Sequence, residues 1–174
     1  MRPVVVTSVL LLVVLMFMSD SAAEMCKTKY LPKPCKTKLG EGWVQMNKQF
    51  CVKAFYETLS YTDAQRVCSD NLYGNLVSIH NDDDQSQVQC AMYRANTRKA
   101  NYWIGATLFE SHVGKNVWTW TDGSRFDYNK WAPGQPDNYM KTESCVEMIS
   151  WDSGFWNDAS CTNKKSYVCA VLVS

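Results

Sequence analysis

Neither sign of charge dominates this sequence. Lys and Arg number 18 against 17 Asp and Glu, for a net charge of +1. No nucleic-acid partner is indicated by that balance, because no sign dominates. Histidine is scarce: His80 and His112 are the whole supply. Neither stands in a recognisable nucleophile motif, so an enzyme is not expected. There is no Cys-x2-Cys pair, and with two histidines a zinc site is a poor fit. No Asn-x-Ser/Thr sequon occurs, so N-glycosylation is not expected. Internal repeats and low-complexity tracts are also missing. The one long apolar run, Val4 to Phe17, is about 14 residues, short of the roughly 20 that a membrane-spanning helix needs. Membrane insertion of the mature chain is therefore not expected.

What remains describes a small, exported domain. The 174 residues suffice for one ordinary domain, and 46% hydrophobic against 20% charged residues allows a buried core. Seven Trp, nine Tyr and six Phe point to an aromatic core, an aromatic binding surface, or both. Arg2 precedes the apolar run, and the small residues Ser21 and Ala23 fit a signal-peptidase site. Residues 1–23 are read as a signal peptide cleaved at Ala23–Glu24, which makes the protein secreted and extracellular. Eight cysteines, Cys26, Cys35, Cys51, Cys68, Cys90, Cys145, Cys161 and Cys169, then read as a disulfide framework. Spacing alone fixes none of the pairings.

Residues 24–41 are polar, with Pro32, Pro34 and several lysines, and read as an N-terminal arm. The domain proper is expected over residues 42–174. Phe50–Tyr56 reads as a strand. Ser60 and Asp63 suit a capping box, followed by Ala64, Val67 and Cys68 at helical spacing, with a stop near Asn71–Gly74. Leu76–Ile79 is a short strand. A second helix is expected from Asn81, with Val88, Cys90 and Met92 inward. Asp82, Asp83 and Asp84 would oppose its dipole favourably and point in different directions, so they read as a helix start rather than a metal site. Strands are expected at Tyr102–Gly105, Val117–Trp120, Cys145–Ile149, around Trp156, and at Tyr167–Leu172. Trp103, Trp118, Trp120 and Trp156 are expected in the core. Two helices followed by short strands indicate an α+β domain.

Between Thr121 and Thr142 lies a long stretch rich in Gly, Pro, Asn and Asp. So long a connection inside a compact domain is usually functional. It holds Gln135-Pro136-Asp137, followed by Glu143, and Asn157 and Asp158 come later beside Trp156. All five polar side chains offer hard oxygens, and calcium takes roughly six to eight of these. The X–Pro bond within Gln135-Pro136-Asp137 is one of the few that can be cis.

This ordered set, Gln135-Pro136-Asp137, Glu143, Cys145, Trp156-Asn157-Asp158, Cys161 and Cys169, resembles the carbohydrate-recognition domain of C-type lectins. Trp103-Ile104-Gly105, Leu76–Ile79 and the Cys51/Cys68 spacing are similar as well, so the resemblance covers roughly residues 35–171. It is nearest to galactose-type members, including small secreted fish and venom lectins, and fish type II antifreeze proteins share the scaffold. The resemblance implies two helices, a looped double antiparallel β-sheet and a long calcium-binding loop. It implies the disulfides Cys35–Cys51, Cys68–Cys169 and Cys145–Cys161. Cys26 and Cys90 are left to pair together or between chains. An intermolecular bond is favoured for at least one of them, giving a disulfide-linked homo-oligomer.

By the same resemblance, Gln135, Asp137, Glu143, Asn157 and Asp158 would be the calcium ligands, with the Asp158 carbonyl completing the set. Galactose-containing glycans would be the partner, contacted by Gln135, Asp137, Tyr139, Glu143 and Asn157. Gln-Pro-Asp resembles the galactose pattern, whereas mannose-type members carry Glu-Pro-Asn. Tyr139 would stack on the apolar face of the sugar. Asn138 and Ser144 stand where the family's auxiliary site has acids, so one calcium ion is expected. The expected function is a secreted, calcium-dependent galactose lectin with an agglutinating, defence or venom role. The alternatives are an ice-binding protein on the same scaffold and a lectin-like protein that binds a protein partner. Asp137 and Glu143 could mimic glycosidase carboxylates, but calcium would hold both ionised and leave no general acid.

Overall fold

The computed structural model describes residues 21–35, 39–110 and 116–173. The apolar run, Arg2 and His112 lie outside them. The elements in order are α1 (Ser21–Thr28), β1 (Val44–Gln45), β2 (Phe50–Leu59), α2 (Tyr61–Arg66), β3 (Asn75–Leu76), α3 (Asp82–Ala95), β4 (Asn101–Glu110), β5 (Asn116–Trp120), β6 (Cys145–Ile149), β7 (Trp156–Ala159) and β8 (Lys165–Leu172). A π turn, Val67–Asn71, extends α2, and a 3-10 turn, Tyr139–Lys141, sits late in the long loop.

Two helix starts follow from their caps. The Ser60 side chain accepts from the Asp63 N–H and donates to the Asp63 carboxylate at 2.7 Å. Asn81 caps α3 by accepting from the Asp84 N–H at 2.8 Å. The three aspartates that open α3 go separate ways. Asp82 accepts from the Tyr128 hydroxyl, Asp83 from the Tyr30 hydroxyl, and Asp84 from Asn47 and Asn81. They stabilise a helix start and share no common centre.

The strands form one eight-stranded sheet ordered β1-β2-β8-β4-β6-β7, with β3 on β8 and β5 on β4. Pairing is antiparallel except between β4 and β8, which are parallel. The sheet is therefore mixed, where the resemblance implied antiparallel pairing throughout. Side chains of alternate parity separate into two cores. Val52, Ile104, Met148, Val168 and Ala170 meet Val88, Ala91 and Met92 of α3. Cys51, Trp103, Cys145, Tyr167 and Val171 meet Tyr61, Ala64 and Cys68 at α2. With a core on each side, β8 is buried continuously from Ser166 to Val171. Gly105 is needed where β3 crosses β4: an added Cβ would lie 2.4 Å from the Leu76 carbonyl oxygen.

The segment read as an arm is not wholly irregular. Ser21–Thr28 is helical, so a third helix joins the two expected, and the Ala23–Glu24 junction falls within it. Cys26 and Cys90 are bonded within the chain and fasten α1 to α3. The other bridges are Cys35–Cys51, Cys68–Cys169 and Cys145–Cys161, and no cysteine is free. The expectation of an intermolecular bond is thereby corrected. Cys26 of α1 and Tyr30 just after it pack with Cys90 in one buried cluster, a proximity that spacing could not reveal. The Cys68–Cys169 bridge closes a sequence separation of 101. In the chain-entropy account a closure of that length contributes about 4–5 kcal/mol.

Candidate functional site

The stretch from Thr121 to Ser144 has no strand, apart from an isolated parallel bridge between Trp131 and Trp156. It is ordered by an aromatic plug. Phe126, Tyr128 and Trp131 all pack around the ring of Trp156, with centroids 5.9–6.3 Å away. Trp156 is fully buried, and its indole N–H donates to Gln85 on α3 at 2.9 Å. Trp103 and Trp120 are also buried and Trp118 half-buried, as expected of core residues.

Beyond the plug the loop turns back on β7. The Gln135–Pro136 peptide is cis, and the Gln135 side-chain oxygen accepts from the Asp137 N–H at 3.1 Å. Asp158, wholly buried on β7, receives two loop N–H groups: Asp137 at 3.1 Å and Asn138 at 2.8 Å. Glu143 receives the Tyr139 N–H at 3.0 Å. Three consecutive backbone donors are thus spent on two carboxylates. Asn138, Met140 and Lys141 adopt left-handed backbone with φ of 47°, 54° and 57°. Such φ values are uncommon outside glycine, and for Met and Lys they require a surrounding structure that enforces them.

The result is a convergence of acids. One oxygen each from Asp137, Glu143 and Asp158 lies within 4.8 Å of the others. Among the described residues none of the three has a salt-bridge partner. The Glu143 carboxyl is raised above its ordinary range. Burial is the main cause, opposed by the Tyr139 N–H and supplemented by the Asp158, Asp137 and Glu147 carboxylates. A calcium ion with Ca–O distances of about 2.3–2.6 Å spans oxygens up to about 5 Å apart. The hard, anionic oxygen set and its spacing fit calcium.

Asn157 stands beside this cluster on β7. Its amide nitrogen donates to Glu147 at 3.0 Å and also contacts the Asp158 carbonyl. With both N–H groups engaged inside the protein, the amide's free polar atom is Oδ1. A role in donating to sugar is therefore less well supported for Asn157 than a role as a metal ligand. Tyr139 is 63% exposed, so its ring is available at the surface. Asn138 and Ser144 are occupied locally: Asn138 accepts from the Glu143 N–H at 3.1 Å, and the Ser144 hydroxyl lies 3.2 Å from Cys161 Sγ.

Sequence reasoning missed the residues behind the site. Gln85 and Gln89 are buried on α3 and donate to the Gly154 and Asp152 carbonyls. Their signal was there: they share helical spacing with Val88 and Met92. Glu147 is 4% exposed within a strand that otherwise reads as apolar.

Residues 57–171 match the family described as "Lectin C-type domain", and the chain belongs to the C-type lectin domain family. The galactose-specific lectin nattectin of Thalassophryne nattereri is 32% identical over 130 residues, covering 75% of this chain and 78% of that protein. Among solved structures, the C-type lectin CEL-I from Cucumaria echinata superposes with a TM-score of 0.68 at 26% identity, covering 79% of this chain and 99% of that one. A herring type II antifreeze protein superposes with a TM-score of 0.65 at 31% identity, covering 80% and 100%. The relatives are binding proteins, and no enzyme family is indicated.

Proposed function

We propose that this chain is a secreted, calcium-dependent lectin for galactose-type glycans: removal of a signal peptide at residues 1–23 leaves an N-terminal arm at residues 24–41 and a carbohydrate-recognition domain at residues 42–174. The observation that carries the reading is the meeting of Asp137, Glu143 and Asp158 within 4.8 Å, beside the exposed Tyr139 ring. Similarity to a lectin named galactose-specific supports the sugar class.

Asp137, Glu143 and Asp158 would hold one calcium ion, together with the carbonyl ends of the Gln135 and Asn157 amides and the Asp158 backbone oxygen. Calcium, when bound, would supply a positive centre for two neighbouring sugar hydroxyls. The protein side chains supply the discrimination. A carboxylate only accepts, and an amide NH2 only donates, so Gln135 and Asp137 present an ordered donor–acceptor pair to the sugar. Tyr139 offers a flat apolar surface to the C–H face of galactose. One ion is proposed because Asn138 and Ser144 bring no charge for a second.

The test is retention of the purified mature protein on immobilised galactose and on immobilised mannose, each with calcium and then with EDTA. Retention on galactose alone, released by EDTA, is expected. Retention that survives EDTA would keep the lectin and remove the calcium bridge. No retention on either resin would overturn the sugar reading. Thermal hysteresis would then examine ice binding on the same scaffold.

A further inference from the structure

A row of side chains crosses the sheet from the candidate site into the core on the α2 side. The pairings run Asn157 to Glu147, Glu147 to Trp103, Trp103 to Tyr167, and Tyr167 to Phe55. Three of these five are aromatic. Of the other two, Asn157 belongs to the site and Glu147 next to it is a buried carboxylate. Glu147 Oε2 lies 2.6 Å from Lys165 Nζ, an ion pair rather than an aligned hydrogen bond, since Oε2 has no well-directed donor. Lys165 in turn lies over the Trp103 ring at 5.3 Å.

Such a pair is a poor device for stability. Desolvating two charges is costly, and a well-packed apolar pair at the same place is often as stable or more so. The other carboxylate oxygen shows a different use. Glu147 Oε1 accepts from Asn157 Nδ2 at 3.0 Å. A carboxamide has two ends of nearly equal shape, and only its oxygen can bind a cation. A carboxylate accepts but does not donate, so it can hold only the NH2 end.

We propose that Glu147, tethered by Lys165, is a positioning residue that anchors the NH2 of Asn157 and so presents Asn157 Oδ1 to the cation site. This rests on the calcium reading of the site. Outer contacts of this kind orient metal ligands and typically alter metal affinity by about 10–100-fold. The selectivity is chemical: any acceptor at residue 147 does the work, and an apolar residue of similar size does not.

Two double variants separate that role from mere packing. Glu147→Leu with Lys165→Met removes both charges and the acceptor. Glu147→Gln with Lys165→Met removes both charges and restores an acceptor oxygen. Calorimetric titration with calcium alone is expected to show affinity lowered about tenfold or more in the Leu variant and largely recovered in the Gln variant. Melting in EDTA is expected to leave the Leu variant no less stable than the parent, which a structural role for the pair would not allow. Equal calcium affinity in the two folded variants overturns the proposal.

The orientation also has a readout without metal. In EDTA, the Asn157 carboxamide proton held by residue 147 should exchange slowly in the parent and the Gln variant, and faster in the Leu variant, where only the Asp158 carbonyl still accepts from that NH2. Rapid exchange in the parent overturns the positioning role. Slow exchange in a parent that takes up no calcium overturns the calcium reading instead.

Discussion

The β8 strand and the loop from Thr121 to Thr142 are ordered by opposite means. Around β8, order comes from removing apolar surface from water on both faces, with Ser166 to Val171 continuously buried. In the loop, order comes from one aromatic plug on Trp156 and then from polar contacts, ending in backbone N–H groups directed at Asp158 and Glu143. Apolar burial is non-directional and tolerates variation in sequence as long as volume and alternation hold. Hydrogen-bonded carboxylates are directional, and each one depends on its partners. The core should therefore answer to covalent and packing changes, and the loop to changes in charge.

The largest effect should fall on the core. Replacing Cys68 and Cys169 together by alanine reopens the longest closure and is expected to cost about 4–5 kcal/mol, read by denaturant unfolding. A variant as stable as the parent would show that the α2 and β8 contacts hold this face without the bridge. A loop change should behave in the reverse manner. Asp137 is exposed, so Asp137→Ala is expected to abolish galactose retention and leave the melting temperature in EDTA unchanged. A matching fall in EDTA stability would break the contrast between the two regions. The smallest effect is at the helix cap. Ser60→Ala removes the bond to the Asp63 N–H and is expected to cost about 1 kcal/mol in a thermal or denaturant melt, with no change in sugar retention.

Much of the architecture was legible because it is local. The short apolar and aromatic runs that became β4, β6 and β8, the helix starts at Ser60 and Asn81, and the inward Val88, Cys90 and Met92 all follow rules that operate within a few residues. The candidate ligands were legible for a different reason. Five oxygen-bearing residues around a proline-containing loop form a chemical set, and the resemblance to a family ordered them. Partners brought together from distant parts of the chain were not legible. The Cys26–Cys90 bond depends on α1 packing against α3. The parallel contact of β4 with β8 depends on how the strands between them are routed. Glu147 looks like an ordinary strand residue until its neighbours across β6 and β7 are known.

The sequence by itself determined the apolar strand segments, the helix starts, the disulfide-rich character and the set of hard oxygen donors. These are properties of spacing and residue chemistry. Only the tertiary structure decided that Asp137, Glu143 and Asp158 meet, that Cys26 pairs with Cys90, and that Glu147 stands behind Asn157. The physical reason is range: caps and local apolar runs act between near neighbours, whereas these contacts exist only once the sheet and the long loop have closed on each other.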